Sequence, residues 1–166
     1  MAIRRVRECD IDAVVELVRE LAAYERAREQ CRLTATQLRA ALFSPQAALF
    51  GHVAEVNGDV AGAALWFLNF STWDGVHGIY LEDLFVRPAH RGIGLGRQLL
   101  AALAAECVRC GYSRLQWSVL NWNDPAIGFY RRLGAVPMDE WAVFRVDGAA
   151  LAALASSASS AAGHRR

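Results

Sequence analysis

Two adjacent carboxylates, Glu82 and Asp83, lie in the middle of an apolar run, YLEDLFV, that predicts a β-strand. A carboxylate among apolar side chains is costly unless it has a partner, so this pair has a purpose such as binding or deprotonating an ammonium group. Successive strand residues point to opposite faces, so only one carboxylate can point directly at a ligand unless a β-bulge intervenes. The alternative is that both pair with neighbouring arginines or with the main chain.

A glycine-rich loop, RGIGLG at residues 91–96, follows this strand and leads into a predicted helix. Glycines let a ligand approach the backbone closely, and the first N–H groups of a helix have no helical partners, so such a loop can bind phosphate. The glycines alone would also suit a dinucleotide fold or a simple tight turn. The side chains of Arg91 and Arg97 are equally compatible with surface charges.

The elements that must position these residues follow from the hydrophobic periodicity and the turn residues. Asn57 and Gly58 predict a type I′ hairpin, and Thr34 with Gln37 predicts a capping box. The predicted elements are strand 3–7, helices 11–25 and 34–43, strands 49–55, 60–70 and 79–87, helix 94–110, strand 113–120, helix 126–134 and strand 136–146. This order predicts an α/β fold with a mixed sheet.

Composition excludes several other classes of protein. The 166 residues carry a net charge of +1 without a dense basic block, so neither nucleic acid nor an anionic membrane is an expected partner. No apolar run is long enough for a signal peptide or a membrane span, so we expect a cytoplasmic protein. Cys107 and Cys110 form a C-x-x-C inside a helical pattern without a second pair of ligands, so they are predicted to be helix thiols, and no metal is expected.

Two spaced motifs carry a family resemblance. The loop at 91–96 matches Arg or Gln, two residues, Gly, one residue, then Gly or Ala; residues 123–130 match Asn-x-x-Ala-x-x-x-Tyr. Over residues 3–147 the chain resembles the GNAT superfamily of acetyl-CoA-dependent N-acetyltransferases. The phrases LAAYE, YLEDLFV, RGIGLG and NWNDPAIGFYRRLGA are similar to the diamine acetyltransferase branch, which includes spermidine/spermine and thialysine acetyltransferases.

The resemblance implies a mixed, mostly antiparallel central sheet flanked by helices in a single domain. We expect this GNAT domain to span residues 1–147 and to be followed, over residues 148–166, by a short helix and a low-complexity, disordered tail. The resemblance also implies a homodimer, and the apolar, aromatic C-terminal region with Trp141 and Phe144 is consistent with an interface.

The resemblance also implies catalytic roles. It favours Glu82 as the base, acting directly or through water, and makes Tyr130 the general acid that protonates the sulfur of coenzyme A. Without the resemblance, Tyr130 would be interpreted as a core residue whose hydroxyl is satisfied. Asn123 is implied to hydrogen-bond the cofactor, and it could also cap the helix that follows; the two roles are compatible.

For acetyl-CoA, the resemblance implies two main-chain contacts. The strand would pair with the pantetheine arm, and one of its N–H groups could hold the thioester oxygen; its residues are Leu84, Phe85 and Val86. The glycine loop would hold the pyrophosphate through its N–H groups, helped by the helix dipole; its residues are Arg91, Gly92, Ile93, Gly94, Leu95, Gly96 and Arg97.

The expected acceptor is a small cationic amine, because carboxylates and aromatic rings suit such a ligand through ion pairs and cation–π contacts. The predicted contacts are Tyr24, Glu25, Glu82, Asp83, Trp73 and Asp74. For the first of these segments the alternative is a solvated helix continuation, YERAREQ, with alternating charge. The stretch WDGVHGIY is one residue longer than expected for the branch, and it lies beside the expected acceptor site.

We therefore expect an enzyme that moves acetyl from acetyl-CoA to a primary amine of a diamine, a polyamine or a thialysine-like amino acid by direct attack on the thioester. One alternative is acetylation of a protein amine or an antibiotic, which would need an open groove instead of an acidic pocket. Another is a non-catalytic acyl-CoA-binding sensor, against which the presence of both Glu82 and Tyr130 argues.

Overall fold

A five-stranded mixed sheet is the centre of the computed structural model, which describes residues 1–162. The strands lie in the order of the chain: β1 (Ala2–Arg5), β2 (Phe50–Val56), β3 (Asp59–Ser71), β4 (Val76–Val86) and β5 (Leu115–Trp117). The first four are antiparallel, and β5 is parallel to β4. The α/β fold with a mostly antiparallel sheet is therefore confirmed.

The helices of the described chain are α1 (Ile11–Tyr24), α2 (Ala35–Phe43), α3 (Leu95–Cys110), α4 (Asp124–Arg132) and α5 (Gly148–Ala162), with short 3-10 turns at 8–10, 28–30 and 88–90. Thr34 caps α2, since its hydroxyl accepts the N–H of Gln37 while the Gln37 side chain bonds the Thr34 N–H. Between β2 and β3, Asn57 and Gly58 both have positive φ, at 53° and 92°, as a type I′ turn requires. Both local predictions are confirmed.

Helices cover both faces of the sheet. On one face, α1 and α2 pack their apolar stripes on β-strand side chains in one buried cluster, which includes Val14, Leu38, Val53, Leu65 and Phe85. Side chains alternate along each strand, so the neighbouring residue Trp66 faces the other side, where α3 lies across the sheet. The first face therefore brings the end of α1 onto β4, beside the acidic residues.

The C-terminal part of the chain differs from the prediction. The strand predicted at 136–146 is wrong, because these residues form neither strand nor helix. Strand propensity is realised only against a neighbouring strand, and here Pro137 lacks the N–H that a sheet ladder uses while Asp139 and Glu140 interrupt the apolar alternation. Helix α5 is longer than the short helix expected, because its alanines have the highest helix propensity.

Contacts divide the chain into two compact units, Met1–Ile127 and Gly128–Arg166. The first unit contains the sheet and helices α1 to α3, and helix α4 begins in it. The second contains the rest of α4, the extended residues after it and α5. The domain boundary expected after residue 147 stays a prediction, and the disorder expected at residues 163–166 lies outside the described residues.

Candidate active site

A β-bulge separates the two carboxylates of β4. Leu81 lies opposite Trp66 of β3 and Asp83 lies opposite Leu65, so Glu82 is an extra residue without a partner of its own. Because of the bulge, Asp83 shares the face of Leu65, on which α1 packs, while Glu82 is exposed. The bulge that the sequence allowed is present, and it places Asp83 on the face against which α1 packs.

Asp83 is half-buried on this face, in an environment that disfavours its charge. Burial, and then the negative charges of Glu82 and Glu25, raise the pKa of Asp83 from 3.8 to about 6. Glu25 comes directly after α1, where its N–H bonds the carbonyl of Leu21 at 2.9 Å. Burial raises the pKa of Glu25 as well.

Glu25, Glu82 and Asp83 form what we call the carboxylate cluster. The alternative, in which the β4 carboxylates pair with arginines, is not observed: within residues 1–162, no ion pair of the chain includes a member of the cluster. Burial and the negative charges of its two neighbours disfavour the charge of Asp83, so a cation placed among the three carboxylates would be favoured. The acceptor contacts predicted for Glu25, Glu82 and Asp83 stay predictions.

An open edge of β4 lies beside the cluster. The parallel pairing with β5 joins only Ile79, Tyr80 and Leu81 to β5, so the rest of β4 pairs on its β3 side alone. The Arg87 N–H donates to Ala61 of β3 at 2.9 Å. Strand amides alternate in direction, so Phe85 also directs its main chain at β3. The main-chain groups that point away from β3 are those of Leu84 and Val86, and of these the Val86 carbonyl accepts a hydrogen bond from Arg91.

The glycine loop follows this open edge. Gly92 and Gly94 adopt φ values of 81° and 90°, a region that glycine enters without strain. Gly94 precedes α3 as its N-cap, and its carbonyl accepts the N–H of Gln98, the first helical hydrogen bond. The N–H groups from Gly94 to Arg97 therefore have no helical partner, as an anion-binding helix start requires.

The side chain of Arg91 is engaged within the chain. Its Nε donates to the carbonyl of Val86 at 2.9 Å, and its guanidinium lies 5.3 Å from the ring centre of Tyr24 and 5.4 Å from that of Phe85. These contacts tie the start of the glycine loop to the end of β4. The main-chain N–H groups of the loop are available to bind an anion. The Arg91 side chain instead fixes the position of the loop.

Asn123 caps helix α4. Its Oδ1 accepts the N–H of Ala126 at 3.3 Å, and its carbonyl accepts the N–H of Ile127 at 3.0 Å. The hydroxyl of Tyr24 donates to the same Oδ1 at 3.0 Å, and Asn123 is 7% exposed. The capping role is therefore observed, and the cofactor contact stays a prediction.

Tyr130 lies in α4, where its carbonyl accepts the N–H groups of Leu133 and Ala135 and its ring lies 5.3 Å from that of Phe129. It belongs to the unit Gly128–Arg166, while the carboxylate cluster belongs to Met1–Ile127. Its role as general acid stays a prediction.

Trp73 and Asp74 lie in the turn between β3 and β4. Trp73 is 90% exposed, and hydrogen bonds from Ser113 and Ser71 lower the pKa of Asp74. From the start of β4 to Asp83 the strand rises about 23 Å, at about 3.3 Å per residue. Within one chain the turn is therefore distant from the carboxylate cluster, and the acceptor contact predicted for it stays a prediction.

Trp122 also packs at this site, although the sequence motifs did not point to it. Its ring lies 6.0 Å from that of Tyr24, and the guanidinium of Arg26 lies 5.3 Å from its centre. The available signal was its position next to Asn123 in NWND. Trp122 holds the end of α1 against the segment that begins α4.

Comparison with known proteins identifies the family of the chain. The model of the acetyltransferase (GNAT) family matches residues 12–135, most of the chain. The chain belongs to the GNAT acetyltransferase family. It is 36% identical over 164 residues to a thialysine N-epsilon-acetyltransferase of Bos taurus, which covers 92% of this chain and 96% of the relative. The acetyltransferase is thus similar to a characterised type of enzyme over nearly its whole length.

Two further comparisons agree. An L-ornithine N5-acetyltransferase of Arabidopsis thaliana is 41% identical over 95 residues, 57% of this acetyltransferase and 42% of the relative. A solved integron cassette protein from the mobile metagenome of V. cholerae is 28% identical, with a TM-score of 0.78 over 93% of this chain and 96% of that one. Both the family and the fold expected from the two motifs are confirmed, and the chain is an enzyme of the acyltransferase class.

Neither a membrane-spanning helix nor a cluster of three metal ligands is present in the part of the chain that the structure describes. None of its helices combines the length and the apolar composition needed to cross a bilayer. No group of three His, Cys, Asp or Glu side chains in residues 1–162 is placed to hold a metal ion. Cys107 is buried, and its thiol donates to the carbonyl of Arg114 at 3.6 Å.

Proposed function

We propose that this acetyltransferase transfers acetyl from acetyl-CoA to a primary amine of a small cationic acceptor: a diamine, a polyamine or an amino acid with a terminal amine, such as thialysine. The observation that carries the proposal is the carboxylate cluster, which lies beside the open edge of β4 and contains no arginine or lysine partner among the described ion pairs. The two relatives, named for acetylating thialysine and ornithine, support an amine of this kind.

The cluster would bind the acceptor through charge. An ammonium group placed among Glu25, Glu82 and Asp83 relieves their mutual repulsion, and charge-assisted hydrogen bonds are about twice as strong as neutral ones. A neutral or anionic ligand gains nothing from this site. The cluster therefore selects cationic acceptors before any chemistry begins.

The edge of β4 and the glycine loop fit the cofactor of this family. Leu84 and Val86 offer outward main-chain groups to a pantetheine arm, although the carbonyl of Val86 also holds Arg91. The free N–H groups of residues 94–97 suit a pyrophosphate. When bound, acetyl-CoA supplies the acetyl thioester; the N–H of Leu84 is the outward donor that could polarise its carbonyl.

Three proton transfers complete the reaction: the ammonium loses one proton before attack, the nitrogen loses a second as the amide forms, and the departing sulfur gains one. The ammonium must lose a proton before it can attack, and Glu82, the exposed member of the cluster, accepts it directly or through water, while Asp83 and Glu25 keep the amine in place. The departing sulfur needs a proton, and Tyr130 supplies it; the second proton that the nitrogen loses restores the hydroxyl of Tyr130. Tyr130 donates through its phenolic hydroxyl, in accordance with the Asn-x-x-Ala-x-x-x-Tyr motif.

We further propose that the enzyme is a homodimer. In the unit Gly128–Arg166, large apolar side chains are exposed along one short segment, and they are Val136, Met138, Trp141, Val143 and Phe144. A contiguous exposed apolar segment of this size is typical of a surface that associates. A second copy of the chain would bury it, and sedimentation velocity tests this: a monomer at micromolar concentration would contradict the proposal.

An amine panel tests the activity. Release of coenzyme A from acetyl-CoA is measured with putrescine, spermidine, thialysine, ornithine, lysine and a lysine-containing peptide. We expect turnover with at least one small cationic amine, and we expect Glu25→Gln to raise KM for that amine more than KM for acetyl-CoA. Preference for the peptide would favour the protein-acetylating alternative, and no turnover with any amine would favour the sensor.

A further inference from the structure

Tyr24 connects two segments that the proposed function places around the cofactor. It is the last residue of α1, and its hydroxyl donates to Asn123, 99 positions further along the chain, at 3.0 Å. Its ring receives the guanidinium of Arg91, the first residue of the glycine loop, at 5.3 Å. One side chain thus contacts both the start of the loop and the start of α4.

The hydroxyl of Tyr24 and the cap of α4 together fix the orientation of the Asn123 amide. A main-chain N–H can only donate, so the Ala126 N–H requires the oxygen of the amide, Oδ1, on its side. Tyr24 donates to this same oxygen. Within residues 1–162, both hydrogen bonds of the Asn123 side chain therefore use Oδ1. The N–H groups of Nδ2 remain available to donate to an acceptor group such as a ligand carbonyl.

Neighbouring side chains hold the ring of Tyr24 in place. Trp122 packs on it with the rings 6.0 Å apart at 45°, and Arg26 lies over Trp122 at 5.3 Å. Arg91 is fixed in turn by the carbonyl of Val86 and the ring of Phe85. These contacts on both sides of the ring hold the hydroxyl at Asn123.

We propose that Tyr24 is a positioning residue for the cofactor, acting through Asn123 by its hydroxyl and through Arg91 by its ring. The proposal rests on the proposed function in that it takes the glycine loop and Asn123 as parts of the cofactor site. It separates Tyr24 from its neighbour Glu25, which belongs to the carboxylate cluster.

Coenzyme A binding, measured by titration calorimetry, tests the proposal without turnover. Tyr24→Phe keeps the ring and removes the hydroxyl, so we expect the Kd to rise about 5-fold, the loss of one hydrogen bond. Tyr24→Leu also removes the ring from Arg91, and we expect a further rise of about 2- to 5-fold. Tyr112→Phe, which removes a tyrosine hydroxyl at the end of α3, is the matched control and should leave the Kd unchanged.

A double-mutant cycle tests the path through Asn123. Asn123→Ser keeps a good helix cap but cannot supply the amide, so Tyr24→Phe should have little further effect on the Kd in that background. Thermal unfolding of each variant confirms that it is folded. An equal effect of Tyr24→Phe in both backgrounds would overturn the proposal, as would an unchanged Kd in Tyr24→Phe alone.

Steady-state kinetics separate this inference from the proposed function. In Tyr24→Phe we expect KM for acetyl-CoA to rise, on the order set by one lost hydrogen bond. We expect KM for the amine to stay within about 2-fold of the wild-type value. A rise confined to the amine would make Tyr24 an acceptor contact and refute the inference. A wild-type protein that binds coenzyme A but acetylates no small amine would refute the proposed function, and the calorimetric Kd values would still decide the role of Tyr24.

Discussion

Replacing Asp83 with Asn should stabilise the folded protein at neutral pH. The pKa of this carboxyl is raised from 3.8 to about 6 by burial and by the charges of Glu82 and Glu25. A difference of about two units corresponds to about 3 kcal/mol, at about 1.4 kcal/mol per unit. This free energy is the cost of holding the ionised carboxylate in the folded state, and the amide of Asn removes it because it carries no charge.

The sign of the pH dependence follows from the raised pKa. The folded state holds the proton of Asp83 more tightly than the unfolded state does, so this group stabilises the protein below about pH 4, and that contribution is lost as the pH rises through about 6. The free energy of unfolding of Asp83→Asn should therefore exceed that of the wild type by a small amount in acid and by the largest amount above pH 7. Between pH 4.5 and pH 8 we expect it to grow by about 2 kcal/mol.

Urea unfolding of both proteins at pH 4.5, 6 and 8 gives the difference in free energy of unfolding at each pH. Asp59→Asn, an exposed carboxyl at the start of β3, is the matched control and should show no such growth. A difference between Asp83→Asn and the wild type that is the same at all three values would refute the reasoning. Loss of stability in the variant at pH 8 would also refute it, because Asp83 would then be stabilising as an ion.

Three further predictions concern the chemistry and the sheet. Tyr130→Phe should lower kcat by about 10²- to 10⁴-fold and leave the Kd of coenzyme A unchanged; wild-type turnover would remove the general-acid role. Glu82→Gln should shift the alkaline rise of the pH–rate profile or raise KM for the amine, and an unaltered profile and KM would count against Glu82 as the base. Gly62→Ala puts a Cβ 2.8 Å from the Phe85 carbonyl oxygen. Urea unfolding should therefore show a free energy of unfolding lower by about 1–3 kcal/mol. Unchanged stability would mean that β3 and β4 separate readily.

Local signals in the sequence were sufficient to predict the secondary structure of most of the first 132 residues. Asn57 with Gly58 specifies a turn, and Thr34 with Gln37 specifies a helix start, by interactions that span four residues or fewer. The segment 136–146 shows where such reasoning fails. Its apolar residues favour a strand, but a strand forms only when another strand is adjacent, and sequence alone does not tell which strand would accept it.

The candidate site was also predictable from the sequence only in part. The residue types indicated an acidic acceptor site, and the spacing of Arg91, Gly94 and Gly96 indicated an anion-binding helix start. The bulge at Glu82 could not be predicted, because it exists only in the register between β3 and β4. The hydrogen bond from Tyr24 to Asn123 was equally hidden, since it joins residues from distant parts of the chain.

The cost of Asp83 connects stability with recognition. In the free protein, burial disfavours the charges of Asp83 and Glu25, and the neighbouring negative charges disfavour that of Asp83 further. A bound ammonium supplies the missing positive charge, so part of the roughly 3 kcal/mol is recovered on binding, and a full recovery would favour a cationic over a neutral ligand by about 100-fold. The same substitution that stabilises the protein, Asp83→Asn, should therefore weaken amine binding by up to this factor, and a site that selects cations must be less stable when it is empty.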